Sequence, residues 1–359
     1  MSKTTVPEQA LIGQLLESLQ ALPDVRVAST RAAPGVQGAN PVDARIDLQV
    51  TGKSVVLLVE VKKSVYPRDA RQWLWQLRSL QPSQNADVQP LLVAESLSSG
   101  AKELLRSERV GYFDSGGSLF LPAAGAFIYI DRPAPKVLDK SVRSLFSSRR
   151  AQVLHALLDD HDKWFGVNDV AGRAQVAPST ASDVLGQLER FDWLESRGQG
   201  PNKTRHLREP AALLDAWAKQ VATQPAPALR RYFVPALKSE ALIERLAQSC
   251  DAHQVDYAVS YEAAAQRYAP FLSGISQVRV RLQPGPGAEL AMAELGARVV
   301  NEGANLAVVD STSAGALLFR RHVGDVWLAS PVQVYLDLLQ AEGRAKEMAQ
   351  HLRQERIGF

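Results

Sequence analysis

Residues 147–208 read SSRRAQVLHALLDDHDKWFGVNDVAGRAQVAPSTASDVLGQLERFDWLESRGQGPNKTRHLR, and the order of elements in this stretch decides the fold of the middle of the chain. Its first part, Ser147–Leu158, spaces Val153, Leu154, Leu157 and Leu158 so that one face of a helix turns toward a core. Gly166-Val167-Asn168 ends that helix, and a short second helix is expected over Val167–Ala174 with Asn168 as its N-cap. Gln175-Val176-Ala177 makes a tight turn. Pro178, whose fixed φ suits a first helical turn, opens a third helix over Pro178–Arg190 with Val184, Leu185 and Leu188 packed inward. Two short strands follow, Trp193–Ser196 and Thr204–Leu207, around the loop RGQGPNK of Arg197–Lys203.

Helix, short helix, turn, helix and two-stranded hairpin is the order of a winged helix-turn-helix module, which implies binding to double-stranded DNA. The third helix offers Ser179, Thr180, Ser182, Asp183 and Gln187 opposite its apolar face. Of these, Ser179, Thr180, Ser182 and Gln187 are the candidate readers, being small or polar groups that a major groove admits. The hairpin carries Arg197, Lys203, Arg205, His206 and Arg208 with no carboxylate between Ser196 and Arg208. Such a cluster suits phosphate neutralisation, so Arg197, Lys203, Arg205 and Arg208 complete the candidate DNA set. The preceding stretch adds Lys136, Lys140, Arg143, Arg149 and Arg150 against the single acid Asp139. The competing reading is a winged helix used for protein contacts, its cations a solvated face. A dimer on an inverted repeat is the usual geometry for such modules.

Outward from this module, two proline-rich stretches punctuate the chain: Asp131–Lys136 (DRPAPK) and Thr223–Pro227 (TQPAP). Neither continues regular structure, so three domains are expected, over residues 1–136, 137–222 and 223–359. The 359 residues exceed one ordinary core, and 46% hydrophobic with 22% charged residues is an ordinary globular balance. There is no apolar run of about 18 residues, so no membrane span is expected. The single cysteine, Cys250, excludes an internal disulfide and a cysteine-rich zinc site, and implies a reducing, cytoplasmic compartment. A net charge of +3 is too small by itself to argue for nucleic acid.

The first domain reads as mixed α/β. Leu11, Ile12, Leu15, Leu16, Leu19 and Leu22 form a helical stripe. Strands Ala44–Val50 and Ser54–Val61 flank a hairpin-like Thr51-Gly52-Lys53, and a helix over Asp69–Leu80 follows. Pro90–Ala94 is a buried strand, Ser99–Ser107 a short helix, and short strands lie around Gly111–Phe113, Ser118–Leu121 and Phe127–Ile130. Asp47 sits in IDLQV, while Glu60-Val61-Lys62 closes VVLLVEVK with Glu60 and Lys62 on one strand face. If Asp47 meets Glu60 across the hairpin, two carboxylates hold a hard cation such as Mg²⁺ and Lys62 orients the attacking water. This resembles the PD-(D/E)xK nucleases, with Pro41 or Asp43 ahead of the motif aspartate and Gln72 and Gln76 on the helix after the motif strand. The resemblance implies a restriction-endonuclease-like α/β domain with Asp47, Glu60 and Lys62 catalytic and Asp47 and Glu60 on the metal. The plain reading of Glu-x-Lys is a solvated strand end with a surface ion pair.

The third domain is expected to be α/β as well, with helices Glu240–Ser249, Glu262–Tyr268, Pro331–Leu339 and Gly343–Gln354. Its strands are expected at Tyr257–Ser260, Gln277–Leu282, Leu306–Val309 and Ala316–Phe319, and Gln283–Gly287 reads as a turn. A strand before Glu262-Ala263-Ala264-Ala265 and the later VRVRL have the outline of a nucleotidyltransferase. Those enzymes need paired carboxylates on adjacent strands, where this chain has Arg279 and Arg281. His253, His322 and His351 show no metal-ligand spacing. The domain therefore reads as a regulatory or partner-binding module.

The stretch RVGYFDSGGSLFL (Arg109–Leu121), the winged helix over 147–208 and the tail LASPVQVYLDLLQAEGRAKEMAQHLR together resemble the AbiEi antitoxin family of type IV toxin–antitoxin systems. The resemblance implies a DNA-binding transcriptional repressor that needs no cofactor, and a C-terminal domain that opposes a nucleotidyltransferase-like toxin. Short members of that family begin with the winged helix, which is internal here. The first domain would therefore add an activity, and the alternative function is a Mg²⁺-dependent nuclease delivered to DNA by the winged helix.

Overall fold

The computed structural model describes residues 6–32, 42–79, 88–123, 126–132, 144–235, 238–272 and 274–359. The chain divides into two units, Met1–Ser144 with Gly186–Asp192, and Leu145–Leu185 with Trp193–Phe359. Both are mixed α/β. Among the described residues no helix is long and apolar enough to cross a membrane.

The first unit begins with helix α1 (Val6–Gln20) and strands β1 (Val25–Ala32), β2 (Ala44–Val50) and β3 (Lys53–Val65). Helix α2 (Pro67–Ser79), strand β4 (Val88–Leu97), helix α3 (Ser99–Ser107) and strands β5 (Gly111–Asp114), β6 (Leu119–Ala123) and β7 (Ala126–Ile130) follow. The seven strands lie in sequence order; β3, β4 and β5 run parallel and the outer neighbours antiparallel. The central strands are apolar on both faces because helices cover both. Leu15 and Leu19 of α1 pack over Ile46, Leu57 and Val59. On the other face Trp73 and Leu74 of α2 join Leu92, Ala101 and Leu105. Thr51 (φ 48°) and Gly52 (φ 81°) turn β2 into β3, a two-residue connection with both central φ positive. This turn fixes which residues of the hairpin face each other, Val50 opposite Lys53 and Ala44 opposite Val59. Strand β1 was not expected from the sequence.

In the second unit, α4 (Ser148–Asp159), β8 (Trp164–Phe165), α5 (Val167–Arg173) and α6 (Pro178–Arg190) precede β9 (Leu194–Arg197), β10 (Thr204–Leu207) and α7 (Pro210–Ala222). The last residues of α6, from Gly186 on, cluster with the first unit. Val153, Leu154, Leu157, Val170, Ala181, Val184 and Leu185 are all buried, as the helical spacing requires. β10 is the middle strand of a small antiparallel sheet between β8 and β9.

The remainder holds β11 (Arg230–Phe233), α8 (Ser239–Ala252), β12 (Tyr257–Ser260), α9 (Tyr261–Tyr268), β13 (Val278–Leu282) and α10 (Pro286–Glu294). It continues with β14 (Arg298–Val299), β15 (Leu306–Asp310), β16 (Arg321–Val323), β17 (Val326–Leu328), α11 (Pro331–Leu339) and α12 (Ala345–Leu352). These strands form a mixed sheet in the order β14-β11-β15-β13-β12-β17-β16. Two expectations are corrected. The glycine–proline stretch turns only as far as Gly285 (φ 155°), and Pro286 then starts α10 as a first-turn proline. Ala316–Phe319 is no strand: Ala316 is the last residue of a 3₁₀ turn over Ala314–Ala316, and pairing begins at Arg321.

Candidate nucleic-acid interface

The N-cap of α5 is Gly166, whose N–H donates to the Asp169 carboxylate at 2.8 Å, so Asn168 lies inside the helix and does not cap it. The reason is distance in sequence: a side chain three residues into the helix reaches back to the first orphan N–H. At the start of α6, Ser179, Ser182 and Asp183 are exposed and Thr180 is half-buried, while Ala181, Val184 and Leu185 point to the core. Gln187, half-buried, belongs to the segment 186–192 that clusters with the first unit.

Alternation along β10 divides the hairpin cations between two faces. Arg205 and Leu207 are buried, at 7% and 1% exposure, and Thr204 and His206 lie on the outer side. Arg205 is therefore turned away from solvent and leaves the set of phosphate-reaching cations. Arg197 is exposed, donates through Nε to Thr204 Oγ1 at 3.1 Å, and holds its guanidinium 3.9 Å above the Trp164 ring. Arg208 is exposed beside Glu209 at 3.4 Å, and Lys203 is half-buried. Gly198 (φ 75°) starts the connecting loop where an added Cβ would lie 2.7 Å from the Asn202 carbonyl oxygen. Arg149 is exposed and Arg150 half-buried near the start of α4; Lys136, Lys140 and Arg143 lie outside the described residues.

The first unit does not bring Asp47 to Glu60, and this corrects the expected metal pair. The two-residue turn places Asp47 opposite Val56. Four residues of extended chain, about 13 Å, separate Val56 from Glu60. Asp47 instead accepts from the Ser29 hydroxyl at 2.6 Å and from Arg45 Nε at 3.0 Å, and these hydrogen bonds, Ser29 first, hold its carboxyl below the usual range. The residue facing the motif strand near Glu60 is Asp43, whose carboxylate accepts from the Val61 N–H at 2.7 Å. Glu60, 4% exposed, accepts from Trp73 Nε1 with one oxygen and pairs with Lys62 Nζ at 2.5 Å with the other. Oε1 thus has an ion-pair partner but no hydrogen bond, and among the described residues no group of three His, Cys, Asp or Glu side chains is placed to hold a metal ion. The residues as arranged do not fit the Mg²⁺ site that the nuclease resemblance implies. A cleft of about 430 Å³ remains between the end of β3 and α2, and Lys62, Ser64, Gln72 and Gln76 line it.

Where a nucleotidyltransferase would place its carboxylates, Arg281 is held bidentately by Asp337 of α11, at 2.5 and 2.9 Å. Asp337, 2% exposed, also accepts from Ser260 at 2.5 Å and Gln333 at 2.8 Å. Arg279 lies 3.7 Å from Glu262 and stacks on Tyr261. Ser330 caps α11 and meets His155 Nε2 of α4 at 2.5 Å. The sequence offers Asp43 only as a residue ahead of the motif aspartate, and it offers no signal for Trp164. The position of Asp43 near Glu60 depends on the register set by the turn, and the strand of Trp164 has only two residues and so no periodicity.

Residues 206–358 match a family model described as a transcriptional regulator, the AbiEi antitoxin of a type IV toxin–antitoxin system. The match begins in β10 and covers less than half of the chain. No curated protein and no solved structure matches.

Proposed function

We propose that this protein is a DNA-binding transcriptional regulator of the AbiEi type, in which residues 145–222 act as a winged helix-turn-helix module on duplex DNA. The start of α6 enters the major groove with Ser179, Thr180 and Ser182, while Arg197, Lys203 and Arg208 meet phosphates on either side of the hairpin loop. The observation that carries this reading is the exposed, polar beginning of α6 together with a hairpin loop that has cations and no carboxylate between Ser196 and Arg208, in a strand pair that runs into the segment matching the regulator family. The C-terminal sheet then serves the antitoxin role, against a nucleotidyltransferase-like toxin, and the DNA-bound form is a homodimer on an inverted repeat. Cleavage by the first unit is no part of this proposal, because Asp47 and Glu60 do not converge.

The test is binding of the full chain to a labelled duplex from the region upstream of its own gene, followed across a salt series. Replacing Arg197, Lys203 and Arg208 together by alanine should lower the slope of log affinity against log salt by about 0.9 for each lost phosphate contact, close to three units in total. An unchanged slope would dispose of the reading.

A further inference from the structure

The outer face of the small sheet carries an arrangement that simple phosphate neutralisation does not require. Trp164 of β8 pairs with His206 of β10, and their rings lie 5.4 Å apart. From the opposite side Arg197 of β9, whose cross-strand partner is Thr204, reaches over the sheet and lays its guanidinium 3.9 Å above the Trp164 ring. The Nε hydrogen bond to Thr204 Oγ1 at 3.1 Å fixes the side chain at a second point. Three strands therefore contribute to the placement of one exposed cation at the base of the hairpin loop.

A surface arginine ordinarily samples many rotamers and loses that freedom when it meets a ligand. Here the freedom is given up on folding. Stacking suits arginine in particular, since its planar, weakly hydrated guanidinium keeps donors at its rim while its face rests on an aromatic ring. We propose that Trp164 is a positioning residue for duplex binding, holding Arg197 ready for a DNA phosphate at the base of the hairpin. This inference rests on the DNA-binding reading above and adds to it the part played by β8.

The experiment compares full-length variants on one labelled mixed-sequence duplex across a salt series, with the melting temperature of each variant as a folding control. Arg197→Ala should lower the salt slope by about 0.9. Trp164→Leu should weaken binding about two- to fivefold, the value of a stacked cation at an exposed site. Trp164→Phe should recover part of that loss. In the Arg197→Ala background Trp164→Leu should have no further effect, because the tryptophan acts through the arginine. Arg197→Lys, which keeps the charge and loses the planar stack, should resemble Trp164→Leu and decides the matter if that variant is poorly folded. Equal affinity of Arg197→Lys and wild type, or a Trp164→Leu loss that persists undiminished without Arg197, overturns the proposal alone. A wild-type chain that binds no duplex overturns the DNA-binding reading with it.

Discussion

His155 occupies one of the most constrained positions in the second unit. Its ring stacks on Phe319 at 4.3 Å, meets Trp217 edge-on at 6.0 Å, and touches Ser330 through Nε2. Burial pushes its pKa down to about 4; Asp159 opposes that shift, Arg321 and Arg281 reinforce it, and Asp337 opposes it. The imidazole is thus neutral in the folded protein near pH 7, while in the unfolded chain it takes up a proton as pH falls through about 6.5. Between those two values the unfolded state binds more protons, so stability is full above about pH 6.5 and declines toward pH 4, by roughly 3 kcal/mol at the lower end. Calorimetric melting of wild type and His155→Gln from pH 7 to pH 4 checks this. The variant should be less stable at pH 7 yet lose less on acidification, and parallel curves for the two proteins would contradict it.

At the scale of elements, the hairpin loop depends on two glycines with unequal demands. Gly198 combines φ 75° with a Cβ position 2.7 Å from a backbone oxygen, whereas Gly200 has φ 58° and open space around it. Gly200→Ala should cost about 1 kcal/mol, the ordinary penalty of the left-handed region, and Gly198→Ala distinctly more, since the backbone must also shift. Melting temperatures order the two, and the Gly198 variant should lose DNA affinity as Arg197 and Lys203 move apart. Elements with a complete local signal were legible in the sequence: α3, β10, β12 and α11 occupy the residues expected of them, to within about a residue. β1 escaped because VRVASTRA mixes exposed arginines with small residues, β8 because two residues carry no periodicity, and α10 because its alanines give no apolar stripe. In the site, residue types were legible and their directions only partly so. Arg205 shares a strand face with buried Leu207, and that alternation was available in TRHL; the failure of Asp47 to meet Glu60 follows from a turn whose position the sequence brackets only loosely.

On the scale of the whole molecule, the family match lies inside the second unit, so its regulator and antitoxin description attaches there and not to the seven-stranded sheet in front. The carboxylates of that sheet serve partners within the unit, Asp47 with Ser29 and Arg45, Glu60 with Trp73 and Lys62. A cation held by both oxygens of Glu60 and by Asp43 would displace the Trp73 and Val61 N–H donors, and a buried donor left without a partner costs about 1–3 kcal/mol each time. The full chain should therefore leave supercoiled plasmid and branched DNA intact in Mg²⁺ or Mn²⁺, and neither ion should raise its melting temperature. Lys62→Ala should leave the DNA salt slope where it was, since that lysine neutralises Glu60 and not a phosphate. Metal-dependent cleavage that disappears in Lys62→Ala would reverse this conclusion, and Asp43→Asn would then show which carboxylate completes the site: loss of cleavage there, with Asp47→Asn still active, would place the metal at the strand end that the register selects.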